Sequence, residues 1–372
     1  MSARSHRARR LLHPGAWWLW GAGLVVVALR TTNPLLLGMV LAVAGFVVAS
    51  RRTDAPWAGS FAGALKLGVV IIVVRMVFPI LFGNRIPGTT LFTLPSVTLP
   101  DWAAGVSLGG PVTLELVVGA FYQGLRLAVV VAVVGAVNSL CSPYRMLRAL
   151  PNALYEAGVA VTVALSFAPQ IAVVARRVRE ARRLRGRPDR GPSAWRGSVL
   201  PVLEGALERA VLLAASMDSR GYGRHGRSAP AARLLAAGLT LAGLVLAGIG
   251  AYGVLDPTVP SVLGAPALLA GAGALGAALV LAGRRADRTR YRPEPWAAPE
   301  WAVALSGLAA AVGVVLAGRA GAVLDPSTNP LEVPTLPIAA AVGVLVAALP
   351  AWAAPEPPVL APRPAPELDV AA

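Results

Sequence analysis

Apolar residues arrive in long blocks separated by short polar punctuation. Nine blocks stand out: 16–30, 34–50, 57–82, 112–138, 153–175, 230–255, 262–283, 301–318 and 336–352. A helix crosses the hydrocarbon of a bilayer with about 20 mainly apolar residues. The pattern therefore predicts an all-α fold, a polytopic helical membrane protein. It divides into an N-terminal membrane bundle (1–170), a polar helical segment (171–229), a further span (230–255), additional C-terminal transmembrane helices (256–354) and a Pro-rich disordered tail (355–372).

The segment 171–229 breaks the pattern. In "VREARRLRGRP" and the residues before it, Ile171, Val174, Val178 and Ala181 recur at steps of three and four, one face of a helix. Arg185 continues that face; Gly186 and Pro188 then offer a stop. A second helix is predicted to start near Pro201. Its seam runs through Leu203, Leu207, Ala210, Ala214 and Met217, with Arg220 and Gly221 at its end. Gly191, Pro192 and Ser193 mark the turn between them.

Charge then sets orientation. Cationic loops stay on the cytoplasmic side, which places 1–13, 50–54, 141–151, 176–229 and 284–292 inside. The loops 83–111, 256–263 and 319–335 fall outside, and the tail inside. This predicts eight crossings with both termini cytoplasmic. Block 153–175 lies between two inside segments, so it dips back, lies within the bundle or belongs to a tilted cytoplasmic helix. Pro169 and Gln170 fit a break near its end.

Composition agrees with the membrane reading. Of 372 residues, 56% are hydrophobic and 14% charged, where a soluble domain carries about 25% charged residues. The net charge of +16 is a value that nucleic-acid binders reach, but these arginines flank apolar runs and are explained as membrane anchors; no nucleic-acid partner is implied. The basic start and first apolar run could be a signal peptide, but no clean cleavage site precedes a soluble domain, and the run reads as the first span. The single cysteine, Cys141, excludes an intramolecular disulfide.

Arginine in the last turn of a helix already favours its dipole by about 0.3–1 kcal/mol, and arginine beside a membrane anchors it. Two Arg-Gly endings on consecutive helices add a second possibility. A guanidinium offers several donors at once to carboxylates and carbonyls, so such an end suits docking on another protein.

These two endings resemble the signatures of the transmembrane (T) component of energy-coupling factor (ECF) transporters, the EcfT/CbiQ family. The family's first pattern is similar to Arg-Ala-Gln-x-x-Arg-Gly; "EARRLRG" places Ala181, Arg185 and Gly186 on it, with Arg182 where Gln is usual. The second resembles Leu-Glu-Arg-Ala…Ala-Met-x-x-Arg-Gly-Tyr and is met by Leu207, Glu208, Arg209, Ala210, Met217, Arg220, Gly221 and Tyr222, with Ser216 where Ala is common. "NPLLL" at 33–37, "GLRLA" at 124–128 and the external "ILFG…GGPVTLE" also fit, over roughly residues 30–255. Typical members end soon after the 230–255 helix, so 256–372 is a departure.

The resemblance implies an energy-coupling scaffold of an ABC-type importer, sitting in a bacterial cell membrane. Its long cytoplasmic coupling helices would seat on two ABC ATPase subunits through Ala181, Arg185, Gly186, Ser219, Arg220 and Gly221, supported by Glu208, Arg209, Met217 and Tyr222. The scaffold would pass their movement to a substrate-binding membrane S component, delivering a vitamin or metal ion.

Chemistry within the chain is sparse. A phosphate loop needs Gly-x-x-x-x-Gly-Lys-Ser/Thr; the one lysine, Lys66, is followed by Leu. Energy is therefore expected from a partner, and no cofactor is called for. His6, His13 and His225 form no ligand cluster in sequence, so no metal site and no catalytic residue are predicted. Ionisable residues inside spans are functional candidates: Lys66, Arg75, Glu115 and Arg126. Arg75 and Glu115 both lie toward outer span ends, where a pair is geometrically possible and snorkelling to the interface is the plainer account. Two other functions stay open: a stand-alone permease, or a membrane enzyme on lipid-linked substrates. The latter would rely on Arg85 and Asp101 of the external loop, a thin set for acid–base work.

Overall fold

The computed structural model describes residues 11–53, 56–82, 87–98, 107–149, 154–186, 191–222, 230–255, 260–283 and 296–355. The N-terminal arginines, His6, Arg85, Asp101, Pro188, His225, the basic run at 284–292 and the tail beyond residue 355 lie outside them. The chain forms two compact units: unit 1 is Met1–Met146 with Glu294–Ala372, and unit 2 is Leu147–Pro293.

Unit 1 begins with a helical hairpin, α1 (Pro14–Arg30) and α2 (Pro34–Arg51). Both start with proline at the first helical position, where a missing N–H costs nothing. Both are capped by a side chain: His13 Nδ1 accepts from the Gly15 amide at 3.1 Å, and Asn33 Oδ1 from that of Leu35 at 3.0 Å. The inward faces of these helices form the core, with Trp20, Leu24, Val27, Leu36, Leu37, Val40 and Val47 fully buried.

Next come α3 (Ser60–Leu81) and α4 (Leu114–Leu140), packed along one another. Gly68 abuts Ala128, and Gly135 leaves no room for a side chain beside Ala64. Between them lies an antiparallel pair of strands, β1 (Thr90–Thr98) and β2 (Ser107–Thr113). Sequence periodicity gave no sign of it, because Pro95 and Pro111 interrupt both strands. After α4, a short α5 (Pro143–Arg148) carries the chain out of unit 1.

The chain returns to unit 1 as α10 (Ala298–Arg319), α11 (Ile338–Val346) and α12 (Pro350–Ala353). These C-terminal helices dock on α1 and α2. Polar contacts pin them at both ends. At one end the His13 amide donates to Glu300 Oε1 at 3.4 Å, the His13 ring lies 5.4 Å from that of Trp296, and Arg51 donates through Nε and Nη2 to the Ala351 carbonyl at 3.0 and 2.6 Å. At the other end Thr32 gives its amide and hydroxyl to Asp325 Oδ1 at 2.8 and 2.9 Å, and Asn33 Nδ2 donates to the Thr335 carbonyl at 2.6 Å. Between the two ends, the Trp20 indole N–H donates to the Ala347 carbonyl at 2.8 Å.

Unit 2 holds α6 (Tyr155–Leu184), α7 (Pro192–Ser219), α8 (Pro230–Leu255) and α9 (Ala265–Gly283). α8 and α9 pair through small residues: Gly243 and Gly250 face Gly271 and Leu268 so closely that a Cβ on either glycine would strike the other helix. α6 and α7 pair separately.

Among the described residues seven helices are long and apolar enough to cross a membrane: α2, residues 57–81, α4, residues 157–184, α8, α9 and α10. With these, the protein is an all-α, multi-pass membrane protein. The sequence expectation of eight crossings counted α1 and 336–352 and left out 153–175. The structure makes α1 17 residues long and splits the last segment into α11 and α12, while 155–184 is one unbroken helix. The predicted break near Pro169 is therefore absent, and the boundary drawn at residue 170 falls inside α6. α7 likewise begins at Pro192 and runs through Pro201, where the sequence placed its start.

Candidate functional site

The α6–α7 hairpin brings the two Arg-Gly signatures into one element of the fold. The helices run antiparallel. Val174 lies beside Gly205, Gln170 and Arg209 line one contact region, and Arg182 Nη1 donates to the Gly197 carbonyl at 2.7 Å. That last bond has a local cause. In a regular helix the Gly197 carbonyl would accept from residue 201, but Pro201 has no N–H; the orphaned acceptor is taken by a guanidinium from the neighbouring helix. Gly197 also has to be glycine, since a Cβ there would collide with the Arg182 guanidinium.

The buried seam of α7 differs from the expected one. Leu203 and Leu207 are 58% and 68% exposed, whereas Val202, Gly205, Ala206, Leu213 and Met217 are half-buried. Glycine and alanine allow closer helix approach than leucine does, so the smaller face wins the contact. On α6, Val174 and Val178 are half-buried while Ile171 and Ala181 are exposed.

Both signature glycines adopt the left-handed conformation: φ is +68° at Gly186 and +77° at Gly221. The second ending is a complete Schellman motif. The Tyr222 amide donates to the Met217 carbonyl at 3.0 Å and the Gly221 amide to the Asp218 carbonyl at 2.8 Å. This arrangement accounts for the spelling Met-x-x-Arg-Gly-Tyr. Glycine supplies the positive φ, Met217 and Tyr222 occupy the positions whose side chains pack together in this motif, and Arg220 is left at the cap. At the first ending the Gly186 amide donates to the Arg183 carbonyl at 3.0 Å, with Arg185 at the cap.

Both cap arginines are exposed, and among the described residues neither guanidinium makes a hydrogen bond or ion pair. Arg51, Arg126, Arg145 and Arg182, by contrast, are all spent on carbonyls. The supporting residues divide: Met217 is half-buried, while Glu208, Arg209 and Tyr222 are exposed, as are Ala181 and Ser219, whose hydroxyl donates to its own helix at Ser216. Antiparallel packing sends the two endings to opposite ends of the hairpin. Arg220 shares a cleft with Val159, twenty-six residues before Arg185 on α6; at about 1.5 Å per residue the endings are roughly 39 Å apart.

The intramembrane candidates of unit 1 occupy separate places. Arg126 donates to the Leu29 carbonyl, one of the last four of α1 that have no partner within their own helix; a cation there also suits the helix dipole. Arg75 sits beside Gly124. Glu115 is buried at the start of α4, nine residues before Gly124, and accepts from the Thr89 amide at 3.0 and 2.9 Å through its two oxygens. The structure does not bring Arg75 and Glu115 together: Glu115 anchors the segment entering β1. Lys66 lies on α3. Among the described residues no group of three or more His, Cys, Asp or Glu is placed to hold a metal ion.

Sequence reasoning passed over two residues that the structure brings forward. In sequence Arg182 is only a departure from a pattern; its acceptor is fifteen residues away, and only the proline at 201 hints that a carbonyl there needs a donor. Arg148 carried no signal beyond its place in a basic loop, yet it lies in the same cleft as Arg220.

No individual curated protein matches the chain. Residues 5–230, however, match the family described as CbiQ, cobalt transport protein. That stretch contains α1–α7 and both Arg-Gly endings, and it stops where α8 begins. The chain thus belongs to the CbiQ cobalt transport protein family, the membrane component of cobalt and ECF-type transporters.

Proposed function

We propose that the protein is the non-catalytic energy-coupling scaffold of such a transporter, and that α6 and α7 are its coupling helices. ATP hydrolysis is supplied by two cytoplasmic ABC ATPase subunits. The scaffold converts their closure into movement of a substrate-binding S component, which carries a vitamin or a metal ion across the bacterial cytoplasmic membrane. Both chain termini and the hairpin face the cytoplasm, a placement that the arginine distribution supports.

One observation carries this reading. Two glycine-terminated helix ends, each bearing an arginine with no partner among the described residues, lie at opposite ends of a single hairpin. A separation of roughly 39 Å suits two contacts with two subunits better than one contact with a single small partner. Arg185 and Arg220, with Ala181, Gly186, Ser219 and Gly221, form those contacts. Arginine is the residue type for them, because its planar fork meets carboxylates and carbonyls bidentately.

The test is co-purification from membranes followed by uptake. Arg185→Ala and Arg220→Ala each leave insertion intact and weaken retention of ATPase; the double variant abolishes ATP-dependent uptake. Undiminished uptake in the double variant removes the assignment. Transport by the purified chain alone would instead identify a stand-alone permease.

A further inference from the structure

The end of α5, the start of α6 and the end of α7 enclose a cleft of about 330 Å³ in unit 2. Its walls are apolar: Leu147, Val159, Val163, Leu213 and Met217. Its polar rim is cationic. Arg148 and Arg220 both line it, with Tyr222, and among the described residues no carboxylate does. The other polar groups present are hydroxyls whose protons are already used. Thr162 Oγ1 donates to the Gly158 carbonyl at 2.7 Å and Ser216 Oγ to that of Leu213 at 2.8 Å. The donors left for a ligand are therefore the two guanidiniums and the phenol. Among the described residues neither Arg148 nor Arg220 has a hydrogen bond or ion pair to satisfy it.

Two like charges sharing one cleft repel each other unless an anion sits between them. Apolar walls behind them lower the local dielectric and strengthen their pull on that anion. We infer that this cleft receives a carboxylate side chain of the partner ATPase, with Arg148 acting beside Arg220 as the second cation. The inference rests on the coupling role proposed above and alters its picture: the second helix end is a socket as well as a plug. It also makes the two ends unequal. No α5 residue accompanies Arg185, whose neighbour Leu184 is 89% exposed. A carboxylate reaching Arg220 also meets a guanidinium from α5, whereas the described cation nearest Arg185 in sequence is Arg183 of the same helix.

Site-specific photo-cross-linking in the full chain, in membranes of its native host, tests this. A benzophenone amino acid replaces Val159, inside the cleft, or Leu184, beside Arg185. Adducts are identified by mass spectrometry, an ATPase being recognised by its phosphate-loop peptide. The expected result is an ATPase adduct at both positions. Arg148→Glu, which turns an attraction for the incoming carboxylate into a repulsion, then lowers the yield at 159 by at least about tenfold and leaves the yield at 184 unchanged, which also shows that the variant is folded. Arg148→Lys keeps an intermediate yield, because charge survives and the bidentate fork does not. An ATPase adduct at 184 with none at 159 overturns the cleft and leaves the coupling role standing. Adducts at neither position overturn both. A lipid or another membrane protein captured at 159, or a yield there indifferent to Arg148→Glu, also overturns the inference.

Discussion

Gly23 of α1 and Gly307 of α10 meet backbone to backbone: a Cβ on Gly23 would strike the Gly307 carbonyl, and one on Gly307 would strike Trp20. One glycine lies inside the family-matched region and the other beyond it. Their contact shows how closely the C-terminal helices beyond the matched stretch are fitted to those within it.

Gly307→Leu is therefore expected to separate α10 from α1 and lower the melting temperature of the detergent-solubilised protein. Forcing a side chain into such a contact costs about 1–3 kcal/mol or more. Gly38→Leu is the control. Nothing lies within 4 Å of a Cβ at Gly38, and removing a helix-interior glycine gains about 0.5–1 kcal/mol, so its melting temperature stays level or rises.

The link between Arg182, Gly197 and Pro201 predicts a non-additive pair. Arg182→Ala strands the Gly197 carbonyl and loosens α6 from α7, at a cost of about 1–3 kcal/mol. Pro201→Ala restores an amide that serves that carbonyl from within α7. In the Pro201→Ala background the penalty for Arg182→Ala should shrink by on the order of 1 kcal/mol. Amide exchange across α7 measures both effects; strictly additive losses would show that the carbonyl does not depend on the arginine.

The φ of +77° at Gly221 separates two substitutions of similar size. Asparagine enters the left-handed region readily, whereas a β-branched residue is a true outlier there. Gly221→Asn should retain ATPase binding. Gly221→Val should fray the end of α7 and weaken binding to the level of Arg220→Ala although the arginine remains. Retention of ATPase on the tagged chain reads the difference.

Polar contacts at the two ends of the C-terminal helices should contribute independently. Asp325→Ala releases Thr32, and Arg51→Ala releases the Ala351 carbonyl. The sites share no partner and lie at opposite ends of α2, whose 18 residues span roughly 27 Å. The losses, about 1 kcal/mol each or somewhat more for charged partners, should add within about 0.5 kcal/mol in the double variant's thermal stability.

How much of this was legible beforehand depended on whether the cause was local. Gly186 and Gly221 announce their helix ends because a left-handed cap is a property of one residue. The apolar blocks likewise announce most of the membrane helices. Pro169 and Pro201 misled, since a proline reads as a break until a donor such as Arg182, remote in sequence, is known to repair the backbone. The face of α7 misled too. Leu203 and Leu207 make the stronger apolar stripe, but the contact falls on Val202, Gly205 and Ala206, and periodicity does not weigh size against greasiness. The cleft that joins Arg148 to Arg220 depends on how α5, α6 and α7 come together, which no spacing within any one of them records.

Because α10–α12 complete a bundle begun by α1 and α2, the ribosome finishes unit 1 last. Unit 2, Leu147–Pro293, must be translated in between, which at 5–20 residues per second takes on the order of ten to thirty seconds. Throughout that interval the nascent hairpin waits in the bilayer with the Gly23 face uncovered and the Trp20 indole without the Ala347 carbonyl that will receive it. A message cut short after α9 would thus yield a chain with both Arg-Gly endings intact and its first two helices covered by α4 but not by α10–α12.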